Sequence, residues 1–139
     1  MEKQNRFTPE VITTLETNDI FVFGSNLAGM HGGGAARTAL KWGAIMGRGV
    51  GLQGRTYAIP TMFRTVNEIK PYVADFVEFA KSHPEYRFLV TRIGCGIAGF
   101  TVKEIAGLFK PVVMDNITNI FLPEDFVTSI LSQVNNENN

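Results

Sequence analysis

The sequence predicts an α/β fold with a mostly parallel central sheet and helices on both faces. Three observations predict it. Apolar strand-like runs alternate with helical patterns along the whole chain. The run Ile20-Phe21-Val22-Phe23 is continuously apolar, which suits a strand buried on both faces. Two apolar strands each feed a glycine-rich loop that leads into a helix: Gly24-Ser25-Asn26 through His31-Gly32-Gly33-Gly34, and Gly94-Cys95-Gly96-Ile97-Ala98-Gly99-Phe100. With 139 residues, the chain is expected to form one domain over 1–139, with a core that needs no disulfide or structural metal. Its polar ends, 1–6 and 135–139, are expected to be loose.

Taken in order, Thr8-Pro9-Glu10 predicts a short helical turn, while Phe7, Val11 and Ile12 pack back on the body. Asn18-Asp19 marks a turn before the strand at 20–23. A helix is predicted over 35–42, where the alanines allow close approach to the sheet. Glycines 43, 47, 49, 51 and 54 predict a long loop, and such loops are often functional. A strand over 56–59 ends at Pro60. Thr65 and Glu68 form a capping box, followed by Ile69, Val73, Phe76 and Ala80 on one helix face. Pro71 is tolerated because it falls in the first turn. A strand is predicted over 87–92. A second capping box, Thr101 and Glu104, opens a helix to about Phe109. The last strand is predicted over 117–122, and the last helix carries Val127, Ile130, Leu131 and Val134.

Thirteen Lys and Arg balance thirteen Asp and Glu, so no overall basic field favours nucleic acid, and any anion site must be local. The single Cys95 excludes an internal disulfide and a cysteine-rich zinc site, and points to a cytoplasmic setting with no metal or cofactor. No run reaches membrane-spanning length, and Met1–Arg6 lacks the apolar region of a signal peptide. No membrane partner is expected.

Both loops leave the carboxyl ends of strands, where open α/β sheets bind ligands, so together they line one cleft. Glycine admits close backbone approach, and free N–H groups at helix starts favour anions. Two such loops suit the two phosphates of a diphosphate. Neither is a Walker A loop, and the first lacks the dinucleotide Gly-x-Gly-x-x-Gly pattern. The candidate ligand-binding residues are Gly24, Ser25, Asn26, His31, Gly32, Gly33 and Gly34 on the first loop. On the second they are Gly94, Cys95, Gly96, Ile97, Ala98, Gly99 and Phe100. Asn26 is suited either to a sugar hydroxyl or to a turn conformation. His31 either contacts phosphate or is solvated. Cys95 is either a packing residue or a thiolate, with no histidine close in sequence to act as its base. Phe100 either stacks on a ligand or pins its loop to the core. Arg92 pairs with a phosphate or a carboxylate, and Arg48 and Arg55 flank the glycine-rich stretch.

With these motifs in view, the chain resembles a macrodomain, the family that binds ADP-ribose and related nucleotides. The resemblance spans about 19–122. It rests on Ile20-Phe21-Val22-Phe23-Gly24-Ser25-Asn26, on Gly32-Gly33-Gly34-Ala35-Ala36, and on Gly94-Cys95-Gly96-Ile97-Ala98-Gly99-Phe100. The stretch Arg92-Ile93-Gly94-Cys95-Gly96-Ile97 looks most like the small branch of terminal ADP-ribose glycohydrolases and DNA-ADP-ribose-removing antitoxins. The resemblance implies a three-layer α/β/α fold whose loops wrap a diphosphate and distal ribose. The chain departs from it at the catalytic positions. The lysine of that branch falls on Met62 and its aspartate on Ala98, while the aspartate of the other hydrolytic branch falls on Ala35 or Ala36. Of that branch's pair, Asn26 alone is kept. For the aspartate that holds adenine, Asp19 and Glu10 are the candidates. The expected function is therefore binding of ADP-ribose or a related nucleotide diphosphate, free or on an ADP-ribosylated macromolecule. The alternatives are a hydrolase of ADP-ribosyl bonds with water positioned by Asn26, and an interaction domain that has lost the ligand.

Overall fold

A computed structural model describes residues 7–137; residues 1–6, 138 and 139, at the ends expected to be loose, lie outside the described residues. The strands are β1 (Asp19–Ser25), β2 (Gly51–Gln53), β3 (Thr56–Pro60), β4 (Arg87–Val90) and β5 (Ile120–Phe121). The helices are α1 (Gly34–Ala39), α2 (Lys70–Lys81), α3 (Val102–Leu108), α4 (Lys110–Met114) and α5 (Glu124–Glu137). The strands form one sheet in the order β2-β3-β1-β4-β5. β1 is central, parallel to β3 with Phe23 opposite Ala58, and parallel to β4 with Val22 opposite Val90. β5 continues the parallel set beside β4, and only β2 runs antiparallel, against β3. The result is a mixed α/β protein with a five-stranded, mostly parallel sheet.

Alternation along β1 divides the interior in two, because successive side chains point to opposite faces. Ile20 and Val22 enter the larger core, where Tyr57, Ile59, Phe88 and Val90 meet Phe76 of α2, Ile105 of α3, Val112 of α4 and Phe126 of α5. Phe76 sits at its centre, with ring centroids 5.0 Å from Tyr57 and 5.4 Å from Phe88. Truncating such a ring to alanine costs about 3–5 kcal/mol. Phe21 and Phe23 enter a smaller core with Ala39, Ala44 and Ala58, flanked by Ile12, Leu15 and Trp42.

Several local expectations are corrected. The Thr8-Pro9-Glu10 turn is not helical. Thr8 instead donates its N–H to the Leu122 carbonyl oxygen at 2.9 Å and its hydroxyl to the Phe121 carbonyl oxygen at 3.0 Å. Phe7 forms a parallel bridge with Leu122, so this segment runs along the end of β5. The helix expected over 35–42 is α1, one and a half turns, followed by a 3₁₀ turn at Leu40–Trp42. The glycine-rich stretch includes β2, whose three residues become a strand by pairing with β3. The box at Thr65 and Glu68 is formed, but it opens a 3₁₀ turn (Val66–Glu68) before α2 begins. Beyond α3 the chain forms α4, with Pro111 accommodated in the first turn. The last strand is shorter than 117–122, and α5 continues to Glu137. Among the described residues no helix is long and apolar enough to cross a membrane.

Candidate functional site

The first loop is braced by its own asparagine. Asn26 Oδ1 accepts from the Met30 N–H at 2.9 Å, and Nδ2 donates to the Met30 carbonyl oxygen at 3.2 Å. Gly29 N–H donates to the Asn26 carbonyl oxygen at 3.0 Å, closing the turn. One lone pair and one N–H of the amide remain for other partners.

The stretch from Gly43 to Val50 packs beside this turn. Gly47 N–H donates to the Gly29 carbonyl oxygen at 2.9 Å, and the Ser25 hydroxyl donates to the Gly49 carbonyl oxygen. His31, expected either to touch phosphate or to be solvated, is 1% exposed. Its Nε2 lies 3.0 Å from the Ile45 carbonyl oxygen and 3.1 Å from that of Arg48, and its ring stands edge-on to Phe23. His31 is thus a tie between the first loop and the long loop. Gln53 braces the long loop itself, accepting from Ile45 N–H at 2.8 Å and donating to the Arg48 carbonyl oxygen at 2.9 Å.

The second loop starts beside the first. A Cβ built on Gly24 would lie 3.4 Å from Gly94 N and 3.1 Å from Thr61 Oγ1. Thr91 anchors the loop's approach by donating its hydroxyl to the Val22 carbonyl oxygen at 2.8 Å. Phe100 N–H donates to the Gly94 carbonyl oxygen at 2.9 Å, and Gly99 N–H to that of Gly96 at 3.0 Å. Phe100 and Cys95, both partly buried, pack against the larger core. Burial first, then Asp125, pushes the Cys95 thiol up, with Arg92 opposing, so the thiol form is favoured.

Between the loops lies a cleft of about 320 Å³. Of the predicted residues it is lined by Gly24, Ser25, Asn26, Gly32, Gly33, Gly34, Gly94, Gly96, Ile97 and Ala98. His31, Cys95, Gly99 and Phe100 are not among its walls. It adds Met30, Ala35, Ala36, Thr61, Met62, Thr91, Arg92 and Ile93. No Asp, Glu, Lys or His is in this lining. The backbone N–H groups of Gly33, Gly34, Ala35 and Ala36, and of Gly96, Ile97 and Ala98, have no hydrogen-bond partner among the described residues. Two rows of unpaired amides therefore border one space, which is how polypeptide backbone holds anions. Gly34, Ala35 and Ala36 form the first turn of α1, which at six residues has little dipole of its own, and Gly96, Ile97 and Ala98 belong to the second loop.

A second cavity, about 350 Å³, adjoins the cleft and shares Ala35, Thr91 and Arg92 with it. Its walls are mainly apolar, from Phe7, Pro9, Val11, Ile12 and Phe21, with Glu10 and Glu124 at hand. Arg92 stands where the two spaces meet. Its Nε donates to Asp125 Oδ2 at 3.0 Å, and Nη2 lies 3.7 Å from Glu10 Oε2. The bond to Asp125 is the main cause of its raised pKa. Asp19 is elsewhere, buried at the start of β1, where it accepts from Arg87 Nε at 2.8 Å and from the Glu16 N–H at 3.0 Å. Of the two acidic candidates, Glu10 alone borders the site. Arg55 is drawn to the Glu16 carbonyl oxygen, and Arg48 is exposed on the long loop. Among the described residues no cluster of His, Cys, Asp and Glu could hold a metal ion. No family model, curated protein or solved structure matches the chain.

Proposed function

We propose that this chain is a binding module for ADP-ribose or a related nucleotide diphosphate. On this reading the diphosphate sits between the two loops and the base enters the adjoining apolar cavity, in the three-layer α/β/α manner of a macrodomain. One observation carries the reading. At Gly32, Gly33 and Gly96 an added Cβ would meet nothing within 4 Å, and none of the three has a left-handed φ. Neither packing nor conformation asks for glycine there. A ligand approaching the unpaired amides does, because side chains would cover them.

The lining supports holding the ligand over cleaving it. It offers hydroxyls, amides and one arginine, and no group able to act as a general base at neutral pH. The Ser25 and Thr91 hydroxyl protons already point to backbone carbonyls.

Titration calorimetry with ADP-ribose tests the proposal. Saturable binding is expected, with the ligand recovered intact by chromatography. Gly33→Glu places a carboxylate in the anion path and is expected to abolish the heat. Absence of heat with ADP-ribose, its phosphorylated or cyclic relatives and NAD overturns the binding reading. Consumption of ADP-ribose, or of an ADP-ribosylated substrate, replaces it with the hydrolase reading, and loss of turnover in Asn26→Ala then assigns the water-positioning role.

A further inference from the structure

Beside the cleft, the turn at 26–30 and the loop at 43–50 form one platform. His31, Ser25 and the Gly47–Gly29 backbone bond tie the two together, and Gln53 braces the second through Ile45 and Arg48. The packing is close: a Cβ on Gly49 would lie 1.9 Å from the Asn26 carbonyl oxygen. Yet this well-held surface turns apolar side chains outward. Leu27 is 56% exposed, Met30 61%, Ile45 43%, Met46 50% and Val50 43%, five of the ten large apolar residues exposed among the described residues. A rigid loop that displays a cluster of apolar side chains marks an interaction surface.

Charge indicates the partner. From Ile20 to Asn67 the chain has no Asp or Glu, while it carries Arg37, Lys41, Arg48, Arg55 and Arg64. Arg48 lies within the platform and forms no ion pair among the described residues. Methionine and arginine without lysine or carboxylate is the composition of protein–protein interface cores. A nucleic-acid surface needs a track of cations, with aromatic rings for single strands, and the exposed side chains here are aliphatic and thioether. A second copy packed face to face would offer Arg48 no carboxylate from residues 20–67.

We infer that the platform formed by residues 26–30 and 43–50 docks a partner protein through a segment that combines apolar side chains with Asp or Glu. The apolar side chains cover Met46, Ile45 and Leu27, and the carboxylates meet Arg48. This surface adjoins the amide-lined cleft and shares Asn26 and Met30 with it, but Leu27, Ile45, Met46, Arg48 and Val50, which carry the inference, lie outside the cleft.

Selection of a random twelve-residue peptide display library on the full chain, immobilised through its C-terminus, tests it. Enriched peptides are expected to combine Asp or Glu with Leu, Ile, Phe or Met. Their affinity, measured by fluorescence anisotropy, is expected to fall at least tenfold in Ile45→Ser/Met46→Ser and in Arg48→Glu, with melting temperatures kept within about 2 °C. The Arg48→Glu variant should gain affinity for the same peptides with Lys in place of Asp and Glu, a readout that misfolding cannot produce. No enrichment, enrichment without acidic bias, or affinities unmoved by both variants overturns the inference. So does wild-type self-association, or binding of a twelve-nucleotide oligothymidine, that these substitutions abolish.

Discussion

A Cβ on Gly49 would stand 1.9 Å from the Asn26 carbonyl oxygen, and one on Gly29 would stand 2.2 Å from Arg48 N, whereas at Gly32 and Gly33 it would meet nothing within 4 Å. Gly29 also has φ +72°, a conformation that L side chains rarely adopt. The platform thus needs its glycines in order to close, and the cleft has glycines that the fold does not need. Glycine richness alone hides this difference. It separates a segment that must pack tightly from one kept clear for something else.

The largest effect of substitution is expected in the platform. Gly49→Ala is expected to lose about 3 kcal/mol through overlap with backbone. Differential scanning fluorimetry should record a fall in Tm of roughly 10 °C. An unchanged Tm would mean that the two loops do not approach so closely. Next, His31→Phe keeps a ring against Phe23 but removes the donor that faces the Ile45 and Arg48 carbonyls. A loss of about 2 kcal/mol is expected, seen as a lower urea midpoint at unchanged slope. If His31→Phe is neutral, the histidine is not the tie described above.

Gly33→Glu probes the cleft. Its effect on stability should stay within about 0.5 kcal/mol, since the position is open and extended. Its effect on calorimetric binding should be complete. Destabilisation comparable to that of Gly49→Ala would show that the cleft glycines are structural after all. The smallest effect is expected at Cys95. Burial pushes its thiol up, so the reactive thiolate forms only at higher pH than in free cysteine. Alkylation by iodoacetamide, followed by mass spectrometry, should be slower than for free cysteine at pH 8 and should rise along a profile displaced toward higher pH.

Local signals made much of the fold legible. The continuous apolar run of β1 announces a strand covered on both sides, and the Thr101/Glu104 box marks the start of α3 by side-chain chemistry that acts over three residues. β2 was hidden because Gly51-Leu52-Gln53 has no strand character of its own and acquires it from β3. The path of residues 7–12 was hidden because Thr8 is held by carbonyls near the far end of the chain, and a backbone acceptor leaves no trace in sequence. The same reason conceals the place of His31, whose partners are the carbonyls of Ile45 and Arg48. The glycines bordering the cleft could be found from their clustering at strand ends. Thr61 and the second cavity could not, because they are assembled by chain segments distant in sequence. The one available hint was the apolar set Phe7, Val11 and Ile12 within an otherwise polar start.

The bond from Thr8 to Phe121 spans 113 positions. Its consequence lies in the order of assembly. Contacts of such separation form late, because a long loop must close before they are rewarded. During synthesis the segment at 7–12 emerges ahead of the strands and finds its place after β5 has joined the sheet. Both glycine loops can then be standing while the chamber beside them still lacks a wall. A nascent chain halted between α4 and β5 would show both rows of amides with no enclosed cavity next to them.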